Sequence, residues 1–524
     1  MKTRQVVSMI AMTAAISTTS TAWASEITLL SADGAIDLVG ELLDFSDNTY
    51  AIRTVLGDLS ISASRVSCDG AACPVIAAPD ADVVIAGSDT LGQSLMPLLL
   101  SGYAATRDAE DRQTMVGGSQ QVFAEMIGDQ GFGDPIGSYL ISSSSSGDAF
   151  TSLADQSAQI GMASRRILPD EARMLRDTGA GNMIDPAQEH IIAIDSLIVI
   201  THPNNPVDTL TTNQLRQIYA GTITNWADVG GLNAPIQLID RAEGAGARVV
   251  FENRLFGPNI PAVPASAVIA TDNDEMAAIV NSNENAIGFT GFAFQRGAKP
   301  ITLINDCGLI MTPDAFSVRT DEYALQQFLY LYNRGDLSDD TAVDFVNYAV
   351  SAEADDVIAK AGLIDLGVDR RAQAADGDRA QMLLKADVDD YVSGIMQDML
   401  GEMNAYDRLS TTFRFRTGSS TLDPRGRLNL ERLTDYLEAQ PTGTRLLFVG
   451  FTDDVGAFDS NLRLSNNRAQ QVMEELRTFA GDRLAAVEMN ATGYGEIAPS
   501  ACNTDENGRG INRRVEVWIQ LATG

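Results

Sequence analysis

Two groups of side chains in this sequence have the types and spacing for ligand chemistry. Near the C-terminus, Asp453 follows the apolar run Arg445 to Gly450, and Arg468 comes three residues after Ser465. Ser465 is a helix-capping type, and Ala469, Val472, Met473, Leu476 and Phe479 follow at helical spacing. That reading places Arg468 in a first helical turn, whose positive end favours a carboxylate, with Asp453 free to take an ammonium from the other side. An acid and a base so placed recognise a zwitterion through charge-assisted hydrogen bonds; the plain alternative is a surface salt bridge.

The second group is a set of Gly/Ser-rich loops, each between an apolar strand pattern and a helical pattern. They hold Ser88, Asp89 and Thr90; Ser145, Ser146 and Gly147; Ser164 and Arg165; and Arg241, Glu243, Gly244, Ala245, Gly246 and Ala247. Free backbone N–H groups at such strand-to-helix turns cradle anions, and Ser, Thr and Arg add donors. Any one loop is more simply a turn, so the inference comes from their recurrence within one stretch. Arg165 and Arg166 read equally as ligand donors or as a salt-bridged pair.

Other chemistries have little material. His190 and His202 are the only histidines, so His-based metal sites and His-relay hydrolysis are disfavoured, and Ser88 has no identifiable base. No catalytic residue, metal or cofactor is expected. With 37 Lys+Arg against 70 Asp+Glu and a net charge of −33, phosphate backbones and anionic lipid surfaces are repelled, so nucleic acid is excluded as a partner.

The elements that must position these groups fall into successive stretches. Residues 1–24 read as an export signal: Lys2 and Arg4, an apolar run from Val6 to Ile16, then Ala22-Trp23-Ala24. Residues 25–76 alternate as a small all-β module, and residues 82–366 alternate strands with helices in the α/β manner. Residues 367–410 are charged, then carry Met382, Val392, Met396 and Met399 as one amphipathic connecting helix. Residues 411–524 read as βαβαββ, with strands from Phe413, Arg445, Ala486 and Val515 and helices from Pro424 and Ser465. No stretch after the signal has the ~20 apolar residues of a membrane helix, so membrane insertion is not expected. Export permits disulfides. Cys68 and Cys73 would close a small ring, while Cys307 and Cys502 either pair across a long separation or stay apart.

The motifs Val449-Gly450-Phe451-Thr452-Asp453-Asp454-Val455-Gly456, Asn461, Leu464-Ser465-Asn466-Asn467-Arg468-Ala469 and Asn512-Arg513-Arg514-Val515-Glu516 resemble the OmpA-like peptidoglycan-binding domain. The resemblance implies recognition of the meso-diaminopimelate side chain of the wall stem peptide. Asp453 matches the position that pairs with the ammonium and Arg468 the one that grips the carboxylate, and Thr452, Asn461 and Arg513 are carried over with them. Phe451 stands where that family commonly has His.

The four loops, with Tyr219 to Gly231 and Ala286-Ile287-Gly288-Phe289, resemble the PstS-type phosphate-binding proteins of ABC importers. This implies a two-lobed periplasmic binding (type II) fold closing on phosphate or another small anion, an ABC importer as a candidate recipient, and Glu243 as the acid that accepts the proton of protonated phosphate. Where the family usually reads Gly-Ser-Gly-Thr, this chain has Gly244-Ala245-Gly246-Ala247, without two hydroxyl donors. Two functions follow: a periplasmic anion-binding protein of a Gram-negative envelope held noncovalently on peptidoglycan, or an envelope-structural protein whose binding fold is a spacer or protein-interaction module.

Overall fold

The computed structural model describes residues 26–31, 37–46, 49–70, 72–74, 78–116, 121–242, 245–373, 377–384, 389–415, 422 and 424–522. The expected signal at 1–24, together with Glu243 and Gly244, lies outside the described residues. The chain forms two compact units, one of residues up to Pro79 with Arg112–Phe123, the other of Asp80–Asp111 with residues from Ala124 onward.

In the first unit, strands Glu26–Leu30, Asp37–Ser46, Thr49–Thr54, Gly57–Ser62 and Ser67–Asp69 form an antiparallel sheet in the order fourth, third, second, first, fifth. The two-residue period puts Ile27, Leu29, Tyr50 and Ile52 into one small core. Cys68 and Cys73 are joined, stapling the loop after the last strand.

In the second unit a two-lobed α/β body comes first. Strand Val83–Ser88 pairs in parallel with Pro135–Ser144 and Ile160–Ala163, which fixes three of the Gly/Ser loops at one end of the first lobe. The long strand Glu189–Thr201 links the lobes: residues 189–196 pair with Gln326–Asn333 and residues 197–201 with Ala286–Gly291. Gln237–Arg241, parallel to Ala286–Gly291, delivers the fourth loop from the second lobe. Trp226 is core, with its Nε1 donating to the Asn285 carbonyl at 2.9 Å.

The C-terminal domain is a sheet of Arg370–Arg371, Asp407–Arg414, Arg514–Gln520, Arg445–Gly450 and Glu488–Gly493, in that spatial order. Helices Pro424–Glu438 and Phe458–Ala480 cover one face with a core of Leu433, Val472 and Phe448. The other face is covered by the segment expected to be one connecting helix. It is two helices, Gly377–Leu384 and Asp390–Met403, with Asp389 capping the second by accepting from the Val392 N–H at 2.9 Å. Their Leu383, Met396, Met399 and Met403 pack on Leu447, Val449 and Trp518, so the helical stripe buries itself against the sheet.

This domain is fixed to the binding body. Cys307 of the second lobe and Cys502 are joined, settling the pairing the sequence left open. The chain returns to the first lobe through Asp321 and Glu322, and the C-terminal domain holds both: Arg414 and Arg425 reach Asp321 at 2.8 and 3.0 Å, and Arg408 reaches Glu322 at 2.6 Å. Arg432 pairs with Asp355 at 2.5 Å. Asp321 has φ of +59°, a left-handed conformation that Asp tolerates better than most residues.

Candidate functional site

Asp453 stands just past strand Arg445–Gly450, as expected, but Arg468 is not in a first turn. The helix starts at Phe458 after Ala457, so Arg468 lies near its middle and the helix end contributes little there. Ser465 is internal: its hydroxyl donates to the Leu462 carbonyl and accepts from the Gly495 N–H, both at 2.9 Å. The stripe of buried positions begins earlier, at Asn461, and two of its members are polar residues bonded to neighbouring loops, which hides it from an apolar-periodicity reading. Close packing on the sheet is what positions Arg468. A Cβ on Gly450 would lie 2.0 Å from the Ser465 carbonyl oxygen, and one on Gly493 2.1 Å from the Asn466 nitrogen, so only glycine permits this approach.

Around Arg468 the carried-over residues converge. Asp453 Oδ2 accepts from Arg513 Nη1 at 2.7 Å, and Arg513 Nη2 donates to Glu506 Oε1 at 2.7 Å. Asn461 Nδ2 donates to the Asp453 carbonyl at 3.3 Å and to Glu496. Thr452 donates its N–H to the Gly495 carbonyl at 2.8 Å, while its buried Oγ1 has no partner among the described residues. Arg468 is 5% exposed, lies 5.1 Å over the Phe415 ring, and its Nε and Nη1 have no hydrogen-bond partner among the described residues. Burial and then the Arg513 charge push its pKa down, with Asp453 pulling it back. A buried guanidinium with two donors unmet among the described residues, beside a carboxylate, has the chemistry to receive an anionic group next to a cationic one. Phe451 is fully buried and offers its ring to Arg514 at 4.3 Å, not a hydrogen-bonding group. Glu496, Glu506 and Phe415 were not singled out from sequence. For Glu506 the signal was Asp505, three residues before Gly508, which caps the helix Glu506–Asn512.

In the first lobe, three loops meet. Ser145 caps helix Ser146–Ala154 in a reciprocal box: its hydroxyl donates to Asp148 Oδ2 at 2.8 Å and accepts from the Asp148 N–H at 3.3 Å, and the hydroxyl and backbone bonds of Ser145 hold the Asp148 carboxyl below its usual range. Ser146 Oγ lies 3.1 Å from Ser164 Oγ and accepts from the Ser164 N–H at 3.1 Å. Arg165 donates both Nη atoms to Glu171, at 2.8 and 2.6 Å, and a Cβ on Gly147 would come within 4.0 Å of its Nη2. Arg166 pairs with Glu189 at 2.6 Å. Ser88 is buried at the end of its strand, with Asp89 and Thr90 opening the next helix. In the second lobe, Arg241 donates to Asn273 Oδ1 and the Thr271 carbonyl, each at 3.0 Å, its buried Nε has no partner among the described residues, and burial lowers its pKa. Ala245 precedes helix Gly246–Phe256 without a side-chain cap, and Ala247 lies in its first turn. No hydrogen bond joins the Ser146–Ser164 cluster to Arg241 among the described residues. Nor do these residues hold a group of three or more His, Cys, Asp or Glu suited to a metal.

Residues 138–353 match the PBP superfamily domain, and residues 414–513 match the OmpA family. The chain joins a PBP-superfamily domain to an OmpA-family domain. The PBP part is 25% identical over 165 residues to the phosphate-binding protein PstS of Bacillus subtilis, covering 32% of this chain and 53% of that one. The chain thus spans about half the length of that relative. The OmpA-family part is 34% identical over 113 residues to outer membrane porin F of Pseudomonas fluorescens, covering 22% of this chain and 33% of that one. Among solved structures, an ABC-type phosphate transport receptor from Vibrio cholerae is similar at 23% identity and a TM-score of 0.40, covering 54% of this chain and 99% of the receptor. Ser88, Asp89 and Thr90 precede the matched PBP residues, whereas the other three loops lie within them. No helix of the described residues is long and apolar enough to cross a membrane.

Proposed function

We propose that the protein is a periplasmic binding protein held noncovalently on peptidoglycan by its OmpA-family domain, taking phosphate or a related small anion between the lobes of its PBP domain. The observation that carries the wall-binding half is Arg468, buried with two unmet donors. An unsatisfied buried polar group costs about 1–3 kcal/mol, more when charged, so a ligand carboxylate arriving there has that much to recover. Asp453, within reach of the same ligand, selects an ammonium beside the carboxylate, the pairing found in the meso-diaminopimelate side chain. Co-sedimentation of the mature chain with diaminopimelate-type peptidoglycan tests this: Arg468→Ala and Asp453→Ala are each expected to stay in the supernatant, and retention of both on the wall would overturn it.

The anion half is supported by the Ser145–Gly147 helix start and its hydrogen-bonded partner Ser164. A second reading, an envelope-structural protein with an idle binding fold, is favoured by Arg165 and Arg241, which both spend donors on the protein itself, and by the missing hydroxyls at Ala245 and Ala247. Isothermal titration with phosphate, and sulfate as control, separates the two. Micromolar phosphate affinity lost in Arg241→Ala supports binding, and no heat at millimolar phosphate supports the structural role. Delivery to an ABC importer belongs to the first reading alone.

A further inference from the structure

Between the OmpA-family domain and the second lobe of the PBP domain lies a cleft of about 670 Å³. Its size is that of small-ligand sites, about 300–1,000 Å³. One wall carries Phe415, whose ring underlies Arg468, and Arg513, which holds Asp453. The cleft therefore begins where the Asp453–Arg468 site ends. The opposite wall carries Arg254, in the last turn of helix Gly246–Phe256.

The other arginines facing this space are matched. Arg216 pairs with Asp306 at 3.0 Å, Arg166 with Glu189 at 2.6 Å, and Arg414 with Asp321 at 2.8 Å. Arg254 makes no hydrogen bond or ion pair among the described residues. It is exposed to solvent within the cleft, its guanidinium stays charged as arginine's does, and partial burial lowers its pKa. In the floor, Gln326 donates its Nε2 to Asp321 at 2.9 Å but leaves Oε1 buried without a partner among the described residues. The unmet inventory is thus a cation and an amide-type acceptor. A peptide carries the complement of both, a carboxylate and a backbone N–H. A small multivalent anion suits the cleft less, because Asp306, Asp321, Glu322, Asp505 and Glu506 also line it.

We propose that this cleft is a second contact for the wall stem peptide, in which Arg254 of the PBP domain holds a carboxylate of the same peptide whose diaminopimelate side chain sits at Asp453 and Arg468. The proposal rests on the wall-binding reading above and adds that both domains read one ligand. A peptide that engages both should bind more tightly than the amino acid alone.

The test is isothermal titration of the full chain with two probes, free meso-diaminopimelate and a soluble stem tetrapeptide containing it. The wild type should bind the tetrapeptide at least tenfold more tightly than the amino acid. Arg254→Ala should remove that tenfold and leave the free amino acid unaffected, and Arg254→Lys should restore part of it. Because Arg254 has no partner to lose, the variant's melting temperature should match the wild type. Tetrapeptide affinity unchanged by Arg254→Ala, with the amino acid still lost in Arg468→Ala, would overturn this proposal and leave the wall-binding reading intact. Indifference of both probes to Arg468→Ala would instead overturn that reading. Loss of inorganic phosphate binding in Arg254→Ala, without change in the tetrapeptide, would assign the cation to a small anion and overturn the proposal too.

Discussion

Arg513 is shared between Asp453 and Glu506, at 2.7 Å from each, so the acid expected to receive the ligand's ammonium is ion-paired before any ligand arrives. Arg468, close enough for the Arg513 charge to depress its pKa, has no comparable partner. The two members of the proposed pair therefore make opposite contributions to the unliganded fold. Arg468→Met removes a buried cation with two unmet donors, and is expected to abolish wall binding without lowering the melting temperature. Asp453→Asn takes from Arg513 the less exposed of its two acids and removes the carboxylate that offsets the Arg468 charge, a change of the kind that costs up to about 3–5 kcal/mol when a buried pair loses one member. It should lower both wall binding and the melting temperature. Calorimetric scans of the two variants beside a peptidoglycan pull-down check this, and a fall in melting temperature for Arg468→Met would contradict it.

The grip on the segment between the lobes predicts an acid-sensitive docking. Burial alone would raise the pKa of Glu322, but the charges of Arg408 and Arg379 outweigh it and bring the carboxyl down to about 2 from 4.5. A depressed folded-state pKa means that this group's contribution is fully present above pH 4.5 and is lost as pH falls toward 2. Urea midpoints of wild type and Glu322→Gln should differ most above pH 4.5 and draw together progressively from pH 4.5 down to about pH 2. A constant gap across that range would mean that Glu322 is not the linked group.

The sequence carries its fold most plainly where a stripe of apolar residues meets a recognisable cap or turn. The α/β body and the position of Asp453 after its strand are both legible. The sequence carries it least plainly where buried positions are polar. Asn461 and Ser465 continue the stripe of helix Phe458–Ala480 but look like a loop and a cap, so the helix was read seven residues short and Arg468 was given a helix-end field it does not have. The Met-rich segment before the last domain was periodic, yet nothing local says what it packs on, because its partners Leu447, Val449 and Trp518 lie tens of residues away. The same holds for Arg408, Arg414 and Arg425. Their acids, Glu322 and Asp321, are about ninety to a hundred residues earlier, so an inter-domain ionic clamp leaves no local pattern.

The two disulfides should separate by unit. Cys307 and Cys502 are 195 residues apart, and on the chain-entropy view such a bridge contributes up to about 5 kcal/mol, against about 2 kcal/mol for the short ring. Cys502→Ser should lower the melting temperature of the larger unit and speed proteolysis of the C-terminal domain, whereas Cys73→Ser should affect only the first unit. The ion pairs to Asp321 and Glu322 remain in Cys502→Ser, so wall binding itself should persist. Loss of wall binding on cutting that bridge would show that the Asp453–Arg468 geometry depends on it.

The fourth loop allows a gain-of-function test of the anion site. Ala245 precedes helix Gly246–Phe256 with no side-chain cap, and Ala247 occupies its first turn, so the first N–H groups of the helix are the donors left for an anion there. Ala245→Ser supplies a hydroxyl at a cap position, which by itself stabilises a helix by about 0.5–2 kcal/mol. Ala247→Thr supplies a second hydroxyl within that first turn. Each new charged hydrogen bond to a phosphate oxygen contributes about 1.5–3 kcal/mol. The double variant should therefore bind phosphate at least tenfold more tightly than the wild type, with sulfate unchanged, when both are titrated calorimetrically. The melting temperature without phosphate reports the cap alone, and the further rise on adding phosphate reports the ligand. A raised melting temperature with no gain in phosphate affinity would mean that the loop caps its helix but does not face an anion, and the envelope-structural reading would then be preferred.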